Sequence, residues 1–353
     1  MRILAFIMLF GLLACKNDKP NSCVETEDET LEFKVEHAQH FNLRTSSDLI
    51  ELDLLNPEDG TIEKTIKIES SDDLKIISLT STLNGMLSIL GKTDQLVGVS
   101  DMEYVFDQSI IDRYKEGEIL EFGDETTQSV EKIVASGANI VFYSGFGESF
   151  PNQDQLEKIG ISVVPVYDWR EEDPLGKAEW IKLIGAITQT DLNANEFFNE
   201  VKEDYNRLKK IADKAKNKPS VISGNMLGDI WYTPVGDSYV AQLIKDAGGD
   251  YVYAESKGTG SLALSIEEIL KDNESTEFWI NPGVDSYDKN QKINPHSDLL
   301  SAHKNMYCYS PNMNLFWERS AAEPNKVLSD LIGIFHPDLK EDNRFHYYEK
   351  IEN

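Results

Sequence analysis

Three aromatic and polar groups of residues carry the recognisable chemistry of this chain: Trp169-Arg170, Trp231-Tyr232, and Trp317 with Arg319, joined by Tyr143. Flat rings stack on the faces of ligands, and a guanidinium grips carboxylate or phosphate with paired hydrogen bonds. The set suits a large, flat or aromatic, partly anionic small molecule. Each group has a competing reading. Trp231-Tyr232 would seal a strand edge, Trp169-Arg170 would brace a loop, Trp317 would sit in a core and Arg319 in a surface ion pair. Catalysis has no comparable set. There is no Gly-x-Ser-x-Gly elbow, and neither Ser144-Gly145 nor Ser261 has an evident His partner, so no catalytic residue is assigned. Of the six histidines, His37 and His40 stand near the N-terminus, and His296, His303, His336 and His346 lack ligand spacing. No metal site and no cofactor is expected.

These residues must be positioned by elements, and the pattern of elements changes along the chain. Residues Lys16 to about Thr30 are polar and acidic and read as a tether. From Leu31 to Ile68 the alternation is β-like, with Asn56-Pro57-Glu58-Asp59-Gly60 as a turn, which predicts a small antiparallel appendage. Then strands and helices alternate. Strands are predicted at Lys75–Leu79, Leu96–Ser100, Asn139–Tyr143 and Ile161–Val166. The helices between them run from Thr80-Ser81-Thr82 to Leu90, from Ser129 to Ala135 and from Gln153 to Ile159. That alternation specifies a parallel sheet. A helical region follows from about Leu175 to Lys216, broken near Thr188 to Asp191. The α/β pattern then restarts at Ser220–Ser223. It continues through helices at Val240–Ala247, Ser265–Leu270 and Asn325–Ile334, with strands at Phe278–Ile280 and Tyr307–Tyr309. The divisions are therefore 1–14, a signal peptide; 15–30, the tether; 31–74, the β appendage; 75–174, an α/β lobe; 175–217, a connecting helical region; and 218–353, a second α/β lobe. Ser129 to Val134 and Ser265 to Leu270 echo each other, each with a leading Ser, an early Glu and the same apolar steps. In such sheets ligands bind at the carboxyl ends of the strands and between domains. The aromatic and Arg residues fall at such ends, from Tyr143-Ser144 and Tyr167 to Arg170 in one lobe and from Trp231-Tyr232 and Asn314 to Arg319 in the other.

The first fifteen residues set the compartment. Met1-Arg2 is basic, Ile3 to Leu13 is apolar apart from Gly11, and Ala14 precedes Cys15. This is an export signal, too short to span a bilayer as a mature helix. Leu12-Leu13-Ala14-Cys15 resembles the lipobox of bacterial lipoproteins, which implies cleavage before Cys15 and lipid on Cys15. The protein is then periplasmic and held at a membrane through that lipid. A net charge of −28 opposes nucleic acid and anionic headgroups. Three cysteines exclude a disulfide framework, and Cys308 reads as a small buried apolar residue.

Between about Lys75 and Phe335 the chain resembles the periplasmic substrate-binding proteins of the iron-siderophore, haem and cobalamin type. The resemblance rests on Ile77-Ser78-Leu79 through Leu96–Ser100, Ser129 to Val141, Leu156 to Val166, Glu179 to Lys202, and Gly248-Gly249 followed by Ser265 to Leu270. The run Asp168 to Trp180 is similar to lipoprotein members from Bacteroidetes-type bacteria. The resemblance implies two α/β lobes joined by a long rigid helix (the class III binding-protein fold), ligand between the lobes and no catalysis. The implied partners are a chelate ligand and the permease dimer of an ABC importer, with the receptor itself a monomer. In that family one Glu per lobe grips Arg residues of the permease, which places the docking role here on Glu131 and Glu267, with Glu268 as the rival of Glu267. Asp101-Met102 and Glu125-Thr126 stand where cobalamin binders carry aromatic residues, which weakens a corrinoid. Few basic residues weaken a catecholate. A surface lipoprotein of adhesive function, or a metal-ion receptor, is the alternative.

Overall fold

The computed structural model describes residues 31–352, apart from 47–48, 57–58, 147–148, 259, 273–275, 284–304, 310–314 and 342–343. The expectations on the signal peptide, Cys15, Cys23, His296, His303 and Asn314 lie outside these residues.

Four antiparallel strands come first: β1 (Leu31–Phe33), β2 (Phe41–Thr45), β3 (Leu49–Leu55) and β4 (Ile62–Glu69), paired in that order. Period-2 alternation gives this sheet one apolar face. That face does not stand alone. Phe41, Leu43, Leu52, Ile66 and Ile68 join the same core as Leu83, Leu87 and Leu183 of the following lobe, and the Phe41 ring meets Trp180 at 4.6 Å.

The first lobe holds β5 (Ile76–Ser78), α1 (Ser81–Ile89), β6 (Leu96–Val99), α2 (Gln108–Lys115), β7 (Leu120–Glu121), α3 (Val130–Ser136), β8 (Ile140–Tyr143), α4 (Gln153–Lys158) and β9 (Ser162–Pro165). Its sheet is parallel in the order β7-β6-β5-β8-β9. α3 starts where Ser129 Oγ accepts the Lys132 N–H at 3.3 Å and stops at Gly137, whose φ of 74° suits a residue without Cβ.

Three helices lead out: α5 (Pro174–Glu179), α6 (Ile181–Ile187) and α7 (Asp191–Ala212). The 22 residues of α7 span about 33 Å at 1.5 Å each. Ala194 and Phe198 near its start pack in the first lobe's core, while Val201, Tyr205 and Leu208 pack in the second lobe's core. One rigid rod therefore fixes the spacing of the two lobes.

The second lobe contains β10 (Ser220–Ser223), β11 (Asn225–Leu227), β12 (Ile230–Pro234), α8 (Tyr239–Asp246), β13 (Asp250–Tyr251), β14 (Ser261–Leu264), α9 (Ile266–Asp272), β15 (Phe278–Ile280), β16 (Asn305–Tyr309), α10 (Phe316–Arg319), α11 (Pro324–Phe335) and β17 (Tyr348–Lys350). β13-β10-β15-β16 is parallel and β17 closes the edge antiparallel. β10 and β15 match β5 and β8, so α3 and α9 enter equivalent strands. In α9 the Ser265 Oγ accepts the Glu268 N–H at 3.3 Å, and the Glu268 carboxylate accepts the Ser265 N–H at 2.9 Å, a reciprocal cap.

Two features depart from the expected pattern. β11, β12 and β14 form a separate antiparallel sheet, so Trp231 and Tyr232 lie inside a hairpin strand and not at the end of a parallel one. α10 leaves the second lobe and lies against α1 of the first, so close that a Cβ on Gly85 would stand 1.8 Å from the Glu318 carbonyl oxygen. The buried Glu318 carboxylate accepts the N–H groups of Phe106 at 3.2 Å and Asp107 at 3.4 Å. α10 thus ties the lobes together in addition to α7.

Candidate functional site

The cleft between the lobes has two halves that meet at Lys177 and Trp317. The first-lobe half is an open trough of about 650 Å³ at the carboxyl ends of β5, β6 and β8. Thr80, Ser81 and Thr82, at the N-terminus of α1, form its polar end, where helix N–H groups favour the negative edge of a ligand. Trp169 forms its aromatic end. The Trp169 Nε1–H donates to the Ser144 carbonyl at 2.9 Å, which fixes the ring, and Phe146 meets it edge-on at 4.9 Å. Glu125 faces the same trough, but its carboxylate is engaged by the Ser144 N–H at 2.8 Å and hydroxyl at 2.6 Å.

The second-lobe half is a narrower cavity of about 280 Å³, lined by Tyr232, Tyr239, Tyr309, Phe316 and Trp317 among others. Tyr309 and Phe316 stack face to face at 3.8 Å, and Trp317 stands edge-on to Tyr309 at 5.1 Å with 45 % of its surface exposed.

Lys177, on α5, is the charged residue at the junction. It is buried, pairs with Asp168 at 3.1 Å and lies 4.5 Å over the Tyr239 ring. Burial works against its charge, but Asp168, the Tyr239 phenol and Glu171 together outweigh burial and raise the lysine pKa. The pair gives the cleft a fixed dipole with little net charge.

The structure brings together Trp169, Tyr232 and Trp317. It separates four other sequence-predicted residues from the cleft. Trp231 is fully buried. Its ring packs on Trp279 at 5.2 Å and its Nε1–H donates to the Ser223 carbonyl at 3.3 Å, so it is core. Arg170 borders neither half; its guanidinium lies 4.3 Å over Tyr167 and 4.9 Å over Trp169, bracing that loop. Arg319 reaches across to the first lobe, donating to Ser88 Oγ at 3.1 Å and lying 3.6 Å from Asp107, so it ties α10 down and borders neither half. Tyr143 borders a side pocket with Phe146 and Phe150, and burial pushes its phenol up to about 12. Glu131 and Glu267 are exposed near the starts of α3 and α9. Among the described residues no three His, Cys, Asp or Glu side chains converge to hold a metal.

Sequence reasoning missed Lys177, Asp168, Phe146 and, in the second-lobe cavity, Tyr239 and Tyr309. Asp168 and Lys177 lie in the run Asp168 to Trp180 whose pattern stood out, but a Lys nine residues after an Asp does not announce a pair. Phe146 lies three residues past the end of β8, and that position was the available signal.

Two lobes of parallel α/β structure, one rod between them and a ligand-sized cleft define a two-lobed solute receptor of the class III type. The chain belongs to the periplasmic binding protein family, whose model matches residues 76–301. An uncharacterized lipoprotein of Methanocaldococcus jannaschii is 25 % identical over 325 residues, covering 85 % of this chain and 76 % of the relative. In fold the chain is similar to a periplasmic haem-binding protein from Pseudomonas aeruginosa (TM-score 0.62, 15 % identity, 79 % of this chain and 98 % of that one). It is also similar to a molybdate periplasmic binding protein of Haemophilus influenzae (TM-score 0.60, 15 % identity, 80 % and 92 %). Membership makes the chain an extracytoplasmic solute-binding protein, not an enzyme, that works with an ABC transporter on a small-molecule ligand. No helix among the described residues is long and apolar enough to cross a membrane.

Proposed function

We propose that this receptor captures a flat, largely neutral metal chelate (a ferric siderophore, haem or corrinoid) between its lobes and hands it to the permease dimer of an ABC importer. The observation that supports this best is the pair of aromatic walls, with Trp169 and Phe146 on one lobe and Tyr232 and Trp317 on the other. Rings on both sides suit a flat ligand, and stacking of this kind adds about 0.5–1.5 kcal/mol per pair beyond area burial. With Arg170 and Arg319 engaged elsewhere, Lys177 is the cation of the cleft among the described residues, and Asp168 already neutralises it. That favours a chelate of low net charge over a highly anionic one.

The test is a titration of intrinsic tryptophan emission with haem, ferric hydroxamates, ferric catecholates and corrinoids. One of these should quench emission. Trp169→Ala should then weaken affinity by about 1–3 kcal/mol. A folded protein that binds none of the panel would sink the chelate reading and favour a surface lipoprotein of adhesive function.

Lipid on Cys15 would hold the receptor at the membrane, and Glu131 and Glu267 would be its twin contacts with the permease. Support for the twin contacts comes from the equivalent places of α3 and α9 in the two lobes. The Glu131→Ala/Glu267→Ala double variant should lose uptake and keep ligand affinity, in a salt-sensitive way. Normal uptake would make both residues ordinary charges at helix starts. Cys15→Ser should release the protein from membranes, and unchanged fractionation would refute the anchor.

A further inference from the structure

The second-lobe half of the cleft is deeper than one wall for a flat ligand requires. It runs past Tyr232 and Trp317 into the layer between α8 and α11, where Val240, Leu243, Val327 and Leu331 line it. At about 280 Å³ it is roomy, since an apolar cavity of about 150 Å³ already holds benzene.

Two polar atoms stand at its floor on neighbouring strands. Ser223 ends β10 and is 1 % exposed, and its Oγ has no hydrogen-bond partner among the described residues. Asn281 directly follows β15, which pairs with β10 so that Ser223 lies opposite Ile280, and the Asn281 Oδ1 is likewise without a partner. Buried polar atoms are nearly always hydrogen-bonded, so two orphans on residues that line one cavity ask for a ligand that completes them. The contrast with the first lobe is direct. There Ser78 holds the equivalent place at the end of β5, and its Oγ donates to the Thr80 carbonyl at 3.0 Å. Asn281 is moreover held at φ 57°, a left-handed conformation that costs free energy for any residue with a Cβ, and its side chain also bonds the Tyr348 phenol. At the mouth, Lys177 is already paired with Asp168.

We propose that this cavity is a separate subsite for a neutral aromatic ring, as large as a fused bicycle, whose edge carries one N–H or O–H and one acceptor atom. The donor meets Asn281 Oδ1, the acceptor takes the Ser223 hydroxyl proton, and Val240 and Leu243 pack on the ring. The subsite rests on the receptor reading above: it would hold a ring projecting from the ligand whose body fills the trough.

The experiment measures binding of two probes to the intact protein by calorimetry and ligand-observed NMR: benzimidazole, with a ring N–H and a ring acceptor, and indole, with the N–H alone. Benzimidazole should bind more tightly than indole. Ser223→Ala should weaken benzimidazole by about fivefold, the worth of one neutral hydrogen bond, and leave indole unchanged. Val240→Trp, which fills the cavity from α8, should abolish binding of both probes while thermal unfolding shows a folded protein. If Val240→Trp does not fold, the Ser223→Ala comparison decides alone. Absence of benzimidazole binding, or an identical benzimidazole affinity in Ser223→Ala, overturns the subsite. Failure of the two readings is separable: chelate binding without benzimidazole binding removes the subsite only, and benzimidazole binding without any chelate removes the chelate reading only.

Discussion

Replacing Glu179 by Gln should loosen the N-terminal sheet from the first lobe at a cost of about 3–5 kcal/mol, the usual consequence of breaking a buried ion pair from one side. Glu179 is fully buried at the end of α5. Its carboxylate accepts the backbone N–H of Glu36 at 2.9 and 3.1 Å, of His37 at 2.7 Å and of Ala38 at 2.9 Å, and it receives the Lys182 Nζ at 2.6 Å. Gln supplies one acceptor oxygen and turns two amide hydrogens toward these donors. At least one backbone N–H loses its acceptor, and the buried Lys182 ammonium loses its counter-charge and keeps the Lys34 carbonyl at 2.8 Å as an acceptor. Each such bond to a charged group is worth about 1.5–3 kcal/mol, but the bonds share one carboxylate and do not add. Lys182→Met should cost less, about 1–3 kcal/mol, because the three N–H groups keep Glu179 satisfied. The Glu179→Met/Lys182→Met double variant removes both charges yet leaves the amides of residues 36–38 unpaired, so it should recover only part of the loss. Urea denaturation reads the totals, and amide hydrogen exchange at residues 36–38 reads the local release. A Glu179→Gln loss below about 1 kcal/mol with unchanged exchange at those amides would refute this reasoning.

Two further outcomes follow from the same geometry. Burial pushes both Glu171 and Glu318 up to about 7 from an ordinary 4.5, so each favours folding most when protonated. Their contribution is complete below about pH 4.5 and is lost as pH rises to about 7, about 3 kcal/mol apiece. The parent should therefore lose stability relative to Glu171→Gln and Glu318→Gln across that window in thermal unfolding, and a difference independent of pH would contradict it. Trp231→Ala should cost about 3–5 kcal/mol of stability as a large-to-small core change, whereas the half-exposed Trp317 should lose ligand affinity on truncation with little effect on stability. Denaturation and ligand titration on the two variants separate these roles, and the reverse result would exchange core and cleft.

Much of the architecture was written in local pattern. Alternating strands and helices, Ser129 and Ser265 as caps, Gly137 as a stop and the break before Asp191 depend on residues a few places apart, and neighbours decide such features by period and backbone preference. The doubled lobe, and with it the matching of Glu131 to Glu267, was visible for the same reason. What tertiary structure decided was which side of each element faces what. Trp231 and Tyr232 are adjacent on one strand and must point to opposite faces. Only the packing of the β11-β12-β14 sheet over Trp279 sends the tryptophan inward and leaves the tyrosine in the cleft. Arg170 and Arg319 have the chemistry of anion ligands, but rings and an aspartate from other elements claim them first. The Asp168–Lys177 pair, the grip of Glu179 on residues 36–38 and the reach of α10 to α1 join surfaces from distant parts of the chain. A side chain's chemical type is a property of the sequence. Its partner is a property of the three-dimensional packing, because electrostatics and burial act through space and not along the chain.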